Sequence, residues 1–283
     1  MMRGTFDRQR ERKITANSLI GIIAIALTVS SCSNAAKTTE SASDKAQAAE
    51  SEKASASGSE MIMIFDGTDN KVSEPETANL ENLFKSTIYP AAKKYWESDD
   101  ASLEFEVDPE SEHSIEGVAE GAFTESGKKQ KAVLYRFSET GHGFCTNGIV
   151  VMEGDNVVAH YAYQGGADYS LTSIPDINKN GKNELAIEGG STNQGETESS
   201  INIVELSSSS IKSFGSTTTA SDNEGSLDEK KVNEAYQIFA KSSGEPEYFA
   251  KKVDLLAKDK ASGAAKPEPI KLEKSEIEFG LVR

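Results

Sequence analysis

The chain is poor in the residues that most site chemistries need. Its 283 residues include two cysteines, three histidines, one tryptophan and seven prolines. His113, His142 and His160 offer no pair of ligand pairs at zinc spacing; His142 and Cys145 supply an isolated H-x-x-C and nothing matches it elsewhere. Basic residues are also scarce, with 30 Lys plus Arg against 46 Asp plus Glu and a net charge of −16. A surface of that sign repels nucleic acid and anionic headgroups, which excludes both as partners of the folded part. Residues 33–60 contain no aromatic residue and no Val, Ile, Leu or Met. Such a stretch cannot bury enough apolar surface to offset its ordering entropy, so it reads as a disordered tether. Over 28 residues its typical reach is roughly 30 Å.

Long apolar runs are missing too. The stretch LIGIIAIALTV, Leu19 to Val29, is eleven residues without a charge, well short of the about 20 that a membrane-spanning helix needs. Arg3, Arg8, Arg10, Arg12 and Lys13 precede it, against Asp7 and Glu11. A basic start, a short apolar segment and then small residues make the layout of a secretory signal. Val29, Ser30, Ser31 and Cys32 follow as VSSC, which resembles the lipobox of bacterial lipoproteins. That resemblance implies cleavage after Ser31, lipid on the Cys32 thiol and acylation of the new amino terminus. Several acyl chains anchor stably, because each buried CH₂ contributes about 0.8 kcal/mol. Ser33, in place of an aspartate, implies the outer membrane under the enterobacterial sorting rule. The expected organisation is a signal over 1–31, an anchor and tether over 32–60, and a β-rich domain over 61–283. The mature chain carries 25 Lys plus Arg and 44 Asp plus Glu, a net charge of −19. With Cys32 assigned to lipid, a disulfide-stapled scaffold is excluded.

One segment has helical periodicity. Leu80, Leu83, Phe84, Ile88, Ala91 and Tyr95 fall on one face. Ser73 and Glu76 have capping-box spacing, Pro75 suits a first turn, and Pro90 should divide the helix. The rest reads as short strands at 103–107, 114–123, 131–137, 148–152, 157–163, 168–174, 184–188, 201–206, 210–214, 235–240, 247–253 and 277–282. Hairpin turns are expected at Gly154, Asp155 and Asn156, and at Ser242, Ser243 and Gly244. The polar stretch 189–200 reads as a loop. The predicted fold is mainly β, with antiparallel propeller-like or sandwich sheets and one N-terminal amphipathic helix. A constant offset of 54 residues aligns Gly127-Lys128 with Gly181-Lys182, Ala132-Val133 with Ala186-Ile187, and Ile149-Val150 with Ile203-Val204. This predicts a duplicated unit, about 122–160 and 176–214.

The second unit contains PDINKNGKNELAI, Pro175 to Ile187. Asp176, Asn178 and Asn180 alternate, Gly181 makes a sharp turn and Glu184 follows. Calcium takes six to eight oxygen ligands, which side chains at alternate positions and a backbone carbonyl can supply. Here they would be Asp176, Asn178, Asn180, the Lys182 carbonyl and Glu184. The twelfth position is Ile187 and a strand follows, so an EF-hand is excluded. A D-x-[DN]-x-[DN]-G-x-x-[DE] loop entering an apolar strand resembles the FG-GAP and VCBS repeats, whose loops cap propeller blades and bind calcium. Two carboxylates imply weak binding, about 10⁻⁴ to 10⁻³ M. The matching first loop has Ala122, Thr124, Ser126 and Gln130, with no carboxylate at those positions.

These observations predict a non-enzymatic envelope lipoprotein, held to the membrane by its anchor, with a binding or structural domain for another envelope protein or a polysaccharide. The rival expectation is an envelope hydrolase or thiol enzyme using Cys145 with His142 or His160.

Overall fold

Short apolar stretches separated by turn residues fold here into antiparallel ribbons. A computed structural model describes residues 60–69, 80–98, 113–139, 145–256, 265–275 and 277–283, all within the compact unit 55–283. The signal, Cys32, the tether, the Ser73–Glu76 capping box, the strand expected at 103–107 and His142 lie outside the described residues.

Four strands form a meander: β2 (Ser114–Gly121), β3 (Gln130–Glu139), β4 (Cys145–Glu153) and β5 (Asn156–Gly165). A short C-terminal strand, β13 (Phe279–Leu281), pairs with β5 and completes a five-stranded sheet in the order β13-β5-β4-β3-β2. The chain then continues through β6 (Ala167–Ile174), β7 (Glu184–Asn193), β8 (Glu196–Leu206), β9 (Ile211–Asp222), β10 (Asn233–Lys241), β11 (Glu247–Asp254) and β12 (Glu268–Ile270). These pair in sequence order, and β1 (Met61–Asp66) joins them by pairing with β10 to give eight strands. β9 covers β10 only at Asn233–Ala235, and β1 takes the same edge from Gln237 to Lys241. The sheets are antiparallel throughout their described pairings and neither closes into a barrel. The strands β1 and β12 have no counterpart among the expected ones.

The five-stranded sheet is covered on both faces. Leu134, Ile149, Val151, Tyr161 and Tyr163 share a buried cluster with Leu171, Leu185, Ile187, Val204 and Leu206 of the eight-stranded sheet. Val133, Tyr135, Val150, Met152 and Ala162 point the other way, into a cluster with Leu80, Phe84, Ile88, Ala92 and Trp96. This is why β4 reads as an unbroken run, GIVVM, and not as alternation: residues 145–152 are buried on either face. The covering segment opens as α1 (Glu81–Leu83), widens into π-helical turns at Phe84–Ile88, and resumes as α2 (Tyr89–Trp96). The wide turns immediately precede Pro90, which has no N–H to give and whose ring crowds the carbonyl four residues back. Leu83, Ala91 and Tyr95 sit at the margin of the buried stripe.

Residues 189–200 correct the sequence reading. They are not a loop but the tip of the β7–β8 hairpin, paired from Leu185–Val204 to Asn193–Glu196. Gln194 and Gly195 close it with φ of 52° and 85°, the positive values of a two-residue hairpin turn whose twist matches the strands. The tip is exposed, so its Ser, Thr and Glu content does not oppose strand structure. Thr192 and Thr197 pair their hydroxyls across it at 2.9 Å.

Candidate functional site

Two loops of similar build lie at one end of the sheets. The first joins β2 to β3 over 122–129, and the second joins β6 to β7 over 175–183. Gly127 and Gly181 occupy matching places, with φ of 74° and 87°, a conformation that glycine adopts without the penalty a Cβ brings. The loops touch. Asn183 donates its backbone N–H to the Ala122 carbonyl at 2.7 Å and accepts the Ala122 N–H on Oδ1 at 2.9 Å.

Each loop is closed by the first residue of the strand that follows it, 54 positions apart. In the first loop, Gln130 Oε1 accepts the N–H groups of Phe123 and Thr124, both at 2.8 Å. Its Nε2 donates to Thr124 Oγ1 at 2.7 Å and to Glu153 Oε1 at 2.9 Å. Every polar atom of this buried amide is used. In the second loop, Glu184 Oε2 accepts the Ile177 N–H at 3.0 Å, the counterpart of the Phe123 bond. Glu184 is fully buried, yet its Oε1 has no hydrogen-bond partner among the described residues. Burial, then the negative charges of Asp176 and Glu205, push its carboxyl up to about 7 against the opposing backbone bonds.

The other expected ligands ring the same loop. Asp176 accepts the Asn180 N–H on Oδ1 at 3.0 Å and the Gly181 N–H on Oδ2 at 2.7 Å. Asn180 Oδ1 accepts the Lys182 N–H at 2.9 Å. The amide nitrogens of Asn178 and Asn180 both donate to Oε2 of Glu205 on β8. Lys182 Nζ reaches Glu205 Oε1 at 2.8 Å and the Leu206 carbonyl at 3.0 Å. Burial alone would raise the Glu205 carboxyl, but Lys182, Asn178 and Asn180 together hold it below the usual carboxylate value. Glu205 is the residue that motif reasoning missed. It lies 21 positions beyond Glu184, on the partner strand, and no local spacing marks it.

Among the described residues, no three His, Cys, Asp or Glu side chains converge as a metal-holding group. A cation at this loop therefore needs the amide and carbonyl oxygens as well as the carboxylates. One more orphan lies within reach of the Glu184 charge: the Tyr248 hydroxyl is buried without a hydrogen-bond partner among the described residues, and burial followed by that charge raises its pKa.

The structure separates Cys145 from His160, one of the two histidines of the rival chemistry, while His142 lies outside the described residues. Cys145 stands opposite Gly165, whereas His160 stands opposite Val150. Those positions are five residues apart along β5, roughly 16 Å. His160 Nε2 is instead 2.8 Å from the Tyr135 hydroxyl, and burial lowers its pKa to about 4. Cys145 is fully buried. His113 stacks on Phe84, with ring centroids 4.5 Å apart.

No protein family, curated protein or solved structure matches the chain, so the candidate site rests on its own geometry.

Proposed function

We propose that this chain is a lipid-anchored bacterial envelope protein whose β domain is a non-enzymatic binding or structural module. It is built from two related four-strand units, β2–β5 and β6–β9, packed as a sandwich, and the Asp176–Glu184 loop of the second unit takes a calcium ion. Asp176, Asn178, Asn180, the Lys182 carbonyl and Glu184 would hold the ion, which would supply positive charge where the loop gathers oxygens. Envelope location rests on the lipobox resemblance at Cys32.

The observation that carries the calcium reading is the contrast between Gln130 and Glu184. The same turn is closed twice in the same way. Where the first loop puts an NH₂ group between Thr124 and Glu153, the second puts a buried carboxylate oxygen with no hydrogen-bond partner among the described residues. A buried charge is tolerated when it is paired or coordinates a metal, and the oxygens around Glu184 suit a hard cation.

A second reading draws on Tyr248: its hydroxyl, turned toward Glu184 Oε1, would satisfy both orphans without an ion. Thermal melts of the full-length chain in calcium and in chelator separate the two. On the calcium reading, millimolar calcium raises the melting temperature by mass action, and Tyr248→Phe leaves that rise in place. An unchanged melt in calcium, with Tyr248→Phe lowering stability, selects the tyrosine reading.

A further inference from the structure

We propose, building on the calcium reading, that Glu205 belongs to the cation site and that Lys182 is its internal competitor, holding that carboxylate until an ion displaces the ammonium. The Lys182 ammonium already behaves as a tethered cation. It sits on a carboxylate oxygen and a backbone carbonyl, Glu205 Oε1 and Leu206 O, at 2.8 and 3.0 Å. These are the oxygen types that calcium selects. Both side chains are largely shielded, with 16% and 12% exposed for Lys182 and Glu205, so the pair is not diluted by water as a surface ion pair is.

The other oxygen of Glu205 makes the same point. It receives the amide nitrogens of Asn178 and Asn180, the two residues that would turn oxygens toward an ion. A half-turn of each amide would exchange nitrogen for oxygen, and an ion would have to offset the two bonds given up, from the Asn180 N–H to Asn178 Oδ1 at 3.1 Å and from the Lys182 N–H to Asn180 Oδ1 at 2.9 Å. With the ammonium in place, the nitrogens face Glu205. With an ion beside Glu205, the oxygens would.

Independent support comes from Glu184. It is fully buried, its Oε1 is without a partner, and it lies within electrostatic reach of Asp176 and Glu205. Asp176 and Glu205 thus act on Glu184 through their charge, although the three side chains do not converge as a ready-made metal-holding group, and the Lys182 ammonium bonds to Glu205. In the first loop Lys128 is likewise near Glu153, at 3.6 Å. There the Gln130 amide is bonded to Glu153 as well, and no carboxylate is left over.

The test is calcium titration by calorimetry, with parallel thermal melts, on the full-length chain purified in detergent. Lys182→Met keeps the length of the side chain and removes its charge. It should bind calcium about tenfold more tightly than the unsubstituted chain and melt lower without calcium. Lys179→Met removes an exposed lysine from the same loop and should leave the affinity within about twofold, since a solvated charge contributes little. Lys182→Arg keeps the competitor and should show no tightening, and Glu205→Gln should weaken binding about tenfold. Equal affinity of Lys182→Met and the unsubstituted chain overturns the proposal, as does equal tightening in Lys179→Met. If the unsubstituted chain ignores calcium but Lys182→Met binds it, the competitor role stands and the calcium reading of the native chain fails. If no variant binds calcium, both fail.

Discussion

The loops at 122–130 and 176–184 share a turn, a glycine at positive φ and a closing residue at the head of a strand, but they finish the job differently. Gln130 satisfies two backbone N–H donors and two oxygen acceptors with one neutral amide. Glu184 satisfies one donor and leaves an oxygen buried with no partner. The first loop therefore satisfies its closing side chain by itself, whereas the second leaves a carboxylate oxygen unpartnered among the described residues. The difference between an amide and a carboxylate, one NH₂ for one oxygen, separates a fully bonded closure from one with an unpartnered oxygen.

The comparison can be broken first at its self-sufficient end. Gln130→Ala strips four hydrogen bonds from a buried position and leaves the Phe123 N–H without its acceptor. Each unmet buried group costs about 1–3 kcal/mol, so a loss of about 4 kcal/mol is expected in urea denaturation. If the substitution costs under about 1 kcal/mol, the closure is not what holds that loop.

A smaller effect, of opposite sign, is expected at the unpartnered end. The Glu184 carboxyl rises from 4.5 to about 7 in the folded chain. Below pH 4.5 it is protonated in both states and costs nothing. As pH climbs from 4.5 to 7, the unfolded chain ionises while the folded chain keeps its proton, so stability falls, and above 7 the loss is complete. Glu184→Gln should remove that decline, gaining about 2 kcal/mol at pH 8 without calcium, and should abolish any calcium-dependent rise. Chemical denaturation across that pH range is the check, and an unaltered profile would refute it.

The smallest expected effect concerns the contact between the loops. A Cβ at Gly181 would lie 2.3 Å from Ser126 Oγ, whereas one at Gly127 meets nothing within 4 Å. Both alanine variants carry the strain of positive φ, about 1 kcal/mol. Gly181→Ala should cost about 1 kcal/mol more. Equal losses would mean that the loops do not lean on each other.

Much of this architecture is legible from residue order. The hairpin turns at Gly154 and at Ser243-Gly244 fall where expected, between β4 and β5 and between β10 and β11. The offset of 54 leads directly from Gln130 to Glu184. Other features are not legible. The 189–200 hairpin is polar because its tip is exposed, which removes the apolar alternation that marks a strand. β1 pairs with a strand far along the chain, Met61 with Lys241, and nothing near it in sequence announces the pairing. Cys145 and His160, plausible partners by residue type, are held apart by the register of β4 against β5.

The sequence alone determined what depends on a few neighbouring residues. Glycines at positive φ, Asn and Asp oxygens that bond to nearby N–H groups, and strand-length apolar runs act over short distances, so their order specifies turns, ribbons and the outline of an oxygen-rich loop. Tertiary structure alone decided which polar groups are buried and what faces them. Glu184 Oε1 lacks a partner among the described residues because packing around Ile177, on the inner face of the eight-stranded sheet, takes it out of water, and Glu205 meets Lys182 only because β8 runs beside β7. Burial and long-range convergence come from packing, and packing left one acid of the loop motif buried with an oxygen unpartnered among the described residues.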